Sequence, residues 1–212
     1  MVFLKGLLAL VIGYALGNFQ TGIIVSRLGS GMDIRSSGSG GTGATNMLRT
    51  LGWVPSLLTF LGDVVKGLLG VLIGKAIGGA EYAAVLGVVG GLGAIIGHNW
   101  PAAFGFKGGK GISTSFGAIL MLQPLYAAII LAAFIVCTAL THTVSIGSLV
   151  GSTVYLILNL ITSTGGRNTP VLVFAILVEA MALYSHRENI KRIFANKENA
   201  IDFKRIQRWK RK

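Results

Sequence analysis

The chain has 212 residues, of which 52% are hydrophobic and only 12% are charged, and its formal net charge is +12. Soluble globular domains carry about 25% charged residues, so this composition excludes an ordinary water-soluble protein and predicts an all-α, polytopic membrane protein. Residues 187–212 hold ten of the nineteen Lys and Arg residues against three acidic residues. Because no nucleic-acid-binding pattern accompanies this charge, we predict a basic cytoplasmic segment that lies on anionic lipid.

Six apolar runs predict the transmembrane segments in chain order. The first run has the length of a span, and no cleavage site of small residues follows it before Arg27, so we interpret it as a retained span rather than a signal peptide. Counted simply, the six runs give six spans, but the fourth is too long for a single helix. The six runs cover residues 4–25, 54–77, 83–97, 112–140, 144–161 and 170–184.

The basic residues between these runs indicate the orientation of the protein. The arginines in 27–52, the lysines in 98–111 and the basic tail should all be cytoplasmic. Six spans would place the basic tail on the outer side of the membrane, whereas seven spans place all three regions in the cytoplasm. As one helix, the run 112–140 would be about 43 Å long, against a hydrocarbon core of about 30 Å. Its Gln123-Pro124 pair disfavours an unbroken helix. We therefore predict seven transmembrane helices, one pair being short or broken at Gln123-Pro124, with the N-terminus outside and the C-terminus in the cytoplasm.

Two glycine-rich loops that carry cations interrupt the apolar runs. The first extends from Asp33 to Asn46 and is closed by Arg49, and the second extends from His98 to Gly111. Irregular backbone is not tolerated against lipid, so these loops should lie at the surface or line a protected cavity. Backbone N–H groups beside Lys and Arg bind phosphate well. Two such loops on the same predicted face favour an anion site over simple turns.

Neither loop is a nucleotide-binding motif. Residues 38–43 match G-x-G-x-x-G, and Asp63 follows twenty residues later, but no strand precedes the motif and Asp63 falls inside an apolar run. The second loop resembles a Walker A sequence, but Gly111 rather than Ser or Thr follows Lys110.

Charged residues and possible metal ligands within the apolar runs are few. Asp63 and Lys66 lie three residues apart, so they share a helix face and can form an ion pair. Cys137 is the only cysteine, and the three histidines show no metal-binding spacing. We therefore predict no metal site and no cofactor.

Three separated motifs have a pattern that is typical of one enzyme family. The matching residues are Asp33, Ile34, Arg35, Gly38, Ser39, Gly40, Gly43, Ala44, Thr45, Asn46, Arg49, Leu51 and Gly52; Gly97, His98, Pro101, Phe106, Lys107, Gly108, Gly109, Lys110, Gly111 and Thr114; and His186, Arg187, Glu188, Asn189, Ile190 and Glu198. This set resembles the bacterial acyl-phosphate:glycerol-3-phosphate acyltransferases of the inner membrane. Gly41, Thr143 and Asn196 depart from the family pattern, which usually has Asn, Tyr and Gly there.

The resemblance implies an integral-membrane acyltransferase domain over residues 1–198, and the basic cytoplasmic tail that we predict over residues 199–212 lies outside the resemblance. It implies seven spans and an active site at the cytoplasmic face of a bacterial inner membrane. The implied reaction transfers a fatty acyl group from acyl phosphate to the 1-hydroxyl of glycerol 3-phosphate, the first step of phospholipid synthesis. Its products are lysophosphatidic acid and inorganic phosphate. We expect these substrates and membrane lipid as partners, with no nucleic acid and no obligatory protein partner.

Two other functions are compatible with parts of the sequence. A small transporter or flippase for a phosphorylated solute would also have spans and cationic loops, but it predicts charges along a pathway at the membrane midplane. Here the basic residues lie mainly at one face. A membrane-anchored binding protein would explain the basic tail but not the two loops.

Both implied substrates carry phosphate, so we assign the two loops to the two phosphates without deciding which loop binds which. No base is adjacent to Ser39, so we expect it to orient substrate rather than form an acyl-enzyme. Candidate bases are Asp33, His98, His186, Glu188 and a substrate phosphate, whose second pKa is about 6. The predicted catalytic residues are Ser39, Arg49, Lys107, His186 and Asn189. The predicted substrate-binding and phosphate-binding residues are Gly38, Gly40, Gly43, Thr45, Asn46, His98, Gly108, Gly109, Lys110, Gly111 and Ser145.

Overall fold

A computed structural model describes residues 1–163 and 169–200, and all regular structure in these residues is helical. The predicted tail, 199–212, therefore lies almost entirely outside the described residues. Short 3-10 turns occupy Ile34–Ser36 and Ala102–Phe104. The helices are α1 (Val2–Asn18), α2 (Thr21–Ser30), α3 (Ala44–Leu51), α4 (Trp53–Asn99), α5 (Ile112–Leu122), α6 (Pro124–Thr141), α7 (Val144–Thr162), α8 (Thr169–Ser185) and α9 (Arg187–Phe194).

Several helices have the length and composition of membrane spans, which confirms the predicted class of all-helical membrane protein. In the described part of the chain, four stretches pass that test: Val2–Ser30, Trp53–Phe104, Pro124–Thr141 and Val144–Thr162. The helices α8 and α9 meet at 61° and would provide a fifth span if taken together. The break predicted at Gln123-Pro124 is observed, because α5 ends at Leu122 and α6 begins at Pro124.

The long helix α4 is a helical hairpin rather than a straight rod. Gly79 has φ 62° and ψ −163°, which reverses the chain within α4. A methyl group added at Gly70 would strike the carbonyl oxygen of Gly90, and one added at Gly74 would strike that of Leu86. The two arms, 53–78 and 80–99, therefore run antiparallel in backbone contact, as the two separate apolar runs predicted.

Glycines also bring α1 and α5 against the α4 hairpin. A methyl group at Gly13 of α1 would strike the carbonyl oxygen of Gly90, and one at Gly117 of α5 would strike that of Val64. In lipid, helices associate through close packing rather than through the hydrophobic effect, and small residues permit that packing. The bundle is therefore assembled around both arms of α4.

The first apolar run forms one candidate span, Val2–Ser30, as predicted, but its helix is broken near the middle of that stretch. The helix α1 ends at Asn18 and α2 begins at Thr21, with Phe19 extended between them. A break leaves carbonyl groups without helical partners. The Lys66 ammonium group donates to two of them, the carbonyl oxygen of Phe19 at 2.9 Å and that of Gly17 at 3.4 Å. This break could not be expected from the run itself, because the groups that stabilise it lie on α4.

Candidate functional site

A cavity of about 540 Å³ joins both glycine loops at one end of the helix bundle. Its polar wall consists of loop 1 (residues 33–46), loop 2 (residues 98–111), the start of α7 and the segment that follows α8. Its apolar wall comes from α5, α6 and α8 and includes Phe116, Ile119, Ile130, Phe134 and Val178. The predicted site residues that line it are Ser39, Gly40, Gly43, Thr45, Asn46, Arg49, His98, Lys107, Gly108, Gly109, Lys110, Gly111, Ser145, His186 and Asn189.

The side chain of Asn46 holds loop 1 in shape. Its amide nitrogen lies 2.8–3.3 Å from the carbonyl oxygens of Ile34, Ser37 and Gly41, and its amide oxygen accepts a hydrogen bond from the Ser39 backbone N–H at 2.9 Å. Because the loop backbone engages both ends of this amide, the geometry favours a structural role for Asn46 over the predicted contact with phosphate.

Gly38 is the one predicted site residue outside the lining of the cavity. Its φ is 60°, and a methyl group at this position would strike the amide oxygen of Asn46. Glycine is needed here for the left-handed backbone and for this close approach. The geometry therefore favours a role for Gly38 in the conformation of loop 1, outside the cavity, over the predicted contact with substrate.

An ionic brace connects the start of loop 1 to loop 2. The Asp33 carboxylate contacts Arg27 at 2.8 Å and Arg35 at 2.9 Å, and Arg35 also donates to the carbonyl oxygen of Phe104 at 3.1 Å. Hydrogen bonds from Arg35, opposed by partial burial, hold the pKa of Asp33 well below its usual range. A carboxylate with so low a pKa is a poor proton acceptor, so Asp33 is not suited to the role of general base.

His98 begins loop 2 on top of a buried ion pair. The Asp63 carboxylate lies 2.8 Å from the Lys66 ammonium nitrogen and 3.5 Å from Nδ1 of His98. The predicted pairing of Asp63 with Lys66 is therefore confirmed. The carbonyl oxygen of His98 accepts the N–H of Gly109 at 3.1 Å, and a methyl group at Gly109 would strike the imidazole Nε2. The imidazole thus packs directly beneath the glycines of loop 2.

Two partly buried cations line the cavity beside the exposed Lys107. Lys110 donates to the amide oxygen of Asn189 at 2.5 Å, and its burial lowers the pKa to about 8. Burial also lowers the pKa of Arg49, which donates to the carbonyl oxygen of Asn199 at 2.9 Å. Burial deprives both cations of part of their hydration. An anion in the cavity would therefore interact strongly with them.

Glu198 is a polar residue of the cavity that sequence reasoning did not place in the site, although it belongs to the third motif. Its carboxylate accepts hydrogen bonds from Ser145 at 3.0 Å, Asn189 at 2.6 Å and Arg192 at 2.8 Å. Burial favours a higher pKa for Glu198, but these hydrogen bonds outweigh it and the pKa lies below its usual value. The ionised carboxylate therefore ties the segment after α9 to the start of α7.

The imidazole of His186 has a defined tautomer. Its Nδ1 lies 2.8 Å from the carbonyl oxygen of Ala182, which can only accept, so Nδ1 carries the proton and Nε2 is the acceptor nitrogen. Burial and the nearby charge of Lys110 lower the pKa of His186 to about 4. His186 is therefore neutral near pH 7 and a weak base.

The hydroxyl of Ser39 lies at the exposed edge of loop 1. Within residues 1–163 and 169–200, no histidine or carboxylate is hydrogen-bonded to it. The geometry thus agrees with the expectation that Ser39 lacks an activating base. In the same residues, no group of three or more His, Cys, Asp or Glu side chains has the arrangement of a metal site.

Comparisons with known proteins agree with this architecture. A family model described as glycerol-3-phosphate acyltransferase matches residues 7–196. The glycerol-3-phosphate acyltransferase of Clostridioides difficile (strain 630) is 42% identical over 206 residues, covering 92% of this chain and 95% of that protein. Its namesake in Thermoanaerobacter sp. (strain X514) is 38% identical over 194 residues, covering 92% and 94%.

Solved structures are also similar over nearly the whole fold. A crystal structure of PlsY (YgiH), an integral membrane glycerol 3-phosphate acyltransferase, in its glycerol 3-phosphate form has a TM-score of 0.85 and 30% identity. The match covers 93% of this chain and 96% of that one. The fold and its cationic cavity thus define an integral membrane acyltransferase. More particularly, the chain belongs to the glycerol-3-phosphate acyltransferase family.

Proposed function

We propose that this acyltransferase moves a fatty acyl group from acyl phosphate to the 1-hydroxyl of glycerol 3-phosphate. The observation that carries the proposal is the single cavity in which two cationic glycine loops meet an apolar wall. Both substrates carry phosphate, and one of them also carries a long acyl chain. The products, lysophosphatidic acid and inorganic phosphate, make this reaction the first step of phospholipid synthesis.

The two walls of the cavity suit the two parts of the substrates. Arg49, Lys107 and Lys110 supply positive charge beside glycine backbone, which suits phosphate. The side chains of Phe116 and Phe134 belong to the apolar wall, which suits an acyl chain. In this arrangement the reactive acyl carbon lies at the junction of the two walls, within reach of the loops.

The proposed step is direct transfer. The hydroxyl oxygen of glycerol 3-phosphate attacks the acyl carbonyl carbon and forms the new ester bond. The bond between that carbon and the phosphate oxygen breaks, and inorganic phosphate leaves with the electron pair. The cations of the loops stabilise the developing negative charge on the carbonyl and on the leaving phosphate.

A substrate phosphate is the better proton acceptor in this step. Its second pKa is about 6, which is nearer to the working pH than the pKa of about 4 of His186. General bases act best when their pKa lies near the pH of the reaction. We therefore assign the proton of the attacking hydroxyl to a substrate phosphate, and we assign His186 the role of accepting a hydrogen bond at Nε2 from the second hydroxyl of glycerol 3-phosphate.

The proposed topology has seven passes through a bacterial inner membrane. They are α1, the two arms of α4, and α5 to α8, with the N-terminus outside and the cavity at the cytoplasmic face. Support comes from the basic residues of loop 1, loop 2 and α9, which the positive-inside rule assigns to the cytoplasm. The helix α5 has 11 residues, so at about 16 Å it would cross only half of the hydrocarbon core.

A reconstituted reaction tests the proposed function. Purified protein in detergent receives glycerol 3-phosphate together with acyl phosphate, or with the same acyl group on coenzyme A. We expect lysophosphatidate from acyl phosphate, and a loss of at least about 100-fold in the Arg49→Ala variant, because its charge acts in the transition state. Folded protein that forms no lysophosphatidate from acyl phosphate would contradict the donor and the reaction.

The same assay separates the enzyme from the alternatives. A detergent solution has no compartments, so a transporter or flippase cannot produce an apparent product. The His186→Gln variant tests the choice of base, because a general base contributes about 10²–10⁴-fold to the rate. We expect this variant to keep more than about a hundredth of the turnover, and complete loss in a folded protein that still binds substrate would identify His186 as the base.

A further inference from the structure

The side chain of Gln20 connects the two loops from beneath. Gln20 is fully buried, with 0% exposure, at the break between α1 and α2. Its amide nitrogen donates to the carbonyl oxygens of Gly17 and His98, both at 3.2 Å, and its amide oxygen accepts the Thr42 hydroxyl at 2.8 Å. Thr42 belongs to loop 1 and His98 begins loop 2, so one side chain contacts both loops.

The chemistry of the partners fixes the orientation of this amide. Carbonyl oxygens can only accept hydrogen bonds, so the NH₂ group must face Gly17 and His98. The carbonyl oxygen of Gln20 then faces Thr42, whose hydroxyl can donate. Thr42 is itself 1% exposed, so neither group has water as an alternative partner, and losing either bond would leave a buried polar group unsatisfied.

Glycines allow the backbone to pack closely around this junction. A methyl group at Gly22 of α2 would strike the carbonyl oxygen of Thr42, and one at Gly108 would strike the carbonyl oxygen of His98. The same His98 oxygen also accepts the N–H of Gly109 at 3.1 Å. Loop 1 therefore rests against α2 through direct backbone contact as well as through Gln20, and a methyl group at Gly17 of α1 would likewise strike the backbone nitrogen of His98 at the start of loop 2.

We infer that Gln20 is a positioning residue, which sets the distance between the two phosphate-binding loops. This inference rests on the proposed function, in which each loop holds one of the two reacting molecules. Gln20 is absent from the lining of the cavity, so its effect must pass through Thr42 and His98. Transfer between two anchored substrates depends steeply on alignment, and a displacement of about 1 Å can cost about 100-fold in rate.

The consequence is a separation of binding from turnover. Each loop keeps its own glycines and cations when Gln20 changes, so each phosphate should still bind. The alignment of the hydroxyl with the acyl carbon should suffer instead. A change at Gln20 or Thr42 should therefore lower kcat while the two KM values stay nearly constant.

Four single variants and one double variant test this inference by steady-state kinetics and thermal unfolding in detergent. Gln20→Met and Thr42→Val remove the hydrogen bonds and nearly preserve the shape, whereas Thr42→Ser keeps the hydroxyl. Gln123→Met is the matched control, because Gln123 also sits at a helix break and bonds two other helical residues, Asn159 and Tyr155, but does not line the cavity.

We expect Gln20→Met and Thr42→Val to lower kcat by about 10-fold or more, with both KM values within about threefold of the wild type. Thr42→Ser should restore most of the turnover, and Gln123→Met should lower the unfolding temperature without a comparable loss of kcat. The double variant Gln20→Met/Thr42→Val should be no worse than Gln20→Met alone, since both break the same connection.

Three results would overturn the inference. One is a kcat within about twofold of the wild type in folded Thr42→Val protein. This variant is decisive even if the larger change at Gln20 prevents folding. The second is a loss in Gln123→Met that matches the loss in Gln20→Met, which would indicate general destabilisation. The third is a rise in KM with unchanged kcat. Failure of the wild-type protein to form product would instead contradict the proposed function, so the two outcomes are distinguishable.

Discussion

Lys110 is a partly buried cation whose charge changes within the range of pH in which an enzyme can be assayed. Its pKa of about 8 reflects burial, which opposes the charged form, and the repulsion of Arg192 and Arg49 adds to the effect. Because the pKa is lowered, Lys110 is mostly protonated at pH 7 and loses its charge as the pH rises through 8. The cavity therefore loses part of its attraction for phosphate on the alkaline side of neutrality.

This ionisation predicts the alkaline limb of the pH–rate profile. We expect kcat/KM to fall above about pH 8, and the break for kcat to lie higher, because bound phosphate stabilises the ammonium form. Lys110→Arg should move the break to higher pH, since arginine keeps its charge. Lys191→Arg is the control, because Lys191 pairs with Glu188 on the exposed surface of α9. An unchanged break in Lys110→Arg would refute the assignment.

Only some of the roles of the site residues could be predicted from the sequence. The cations and glycines of the loops could be identified, because phosphate binding needs those residue types close together. The internal role of Asn46 could not, because its partners are backbone carbonyl groups, whose positions depend on the folded loop. Gln20 was also missed, since a single polar residue in an apolar run carries no information about Thr42 or His98.

At the scale of elements, glycine determines how closely the helices of the bundle approach. Gly90 lies where the second arm of α4 meets both the first arm and α1. Any side chain there would displace backbone rather than a flexible side chain. The sequence showed that glycines are abundant in the apolar runs, but periodicity could not identify which of them face another helix.

A matched pair of glycine substitutions tests this packing. Gly90→Ala should lower the stability by about 1–3 kcal/mol through overpacking, because its methyl group would strike the carbonyl oxygen of Gly70. Gly6→Ala places the same group on α1, where its nearest neighbour is a methyl group of Leu86 at 3.7 Å. That variant should be neutral or up to about 1 kcal/mol more stable. Thermal unfolding in detergent measures the difference, and equal stabilities would contradict the close contact.

Helix boundaries illustrate what the sequence could and could not predict at this scale. The break at Gln123-Pro124 was predictable, since proline both lacks an N–H group and restricts its predecessor. The break after Asn18 was not, because the side chains that satisfy its carbonyl groups belong to Lys66 and Gln20. Breaks encoded by local backbone chemistry can be read from a run, whereas breaks stabilised by tertiary contacts cannot.

At the scale of the whole molecule, segments far apart in the chain form one cavity. Loop 1, loop 2, the start of α7 and the segment after α8 all line it. Counting spans with the positive-inside rule predicted that these segments share one face of the membrane. That rule gives no distances, so it could not show that two loops separated by the α4 hairpin form a single site.

The central claim is that this cavity holds both phosphates at once and that the acyl group passes directly between them. Initial rates of lysophosphatidate formation by the purified protein, with both substrates varied, test it most directly. We expect double-reciprocal plots with intersecting lines, as required for a complex that contains both substrates, and no acyl group on Ser39. Parallel lines, together with an acyl-enzyme isolated after acyl phosphate alone is added, would contradict direct transfer.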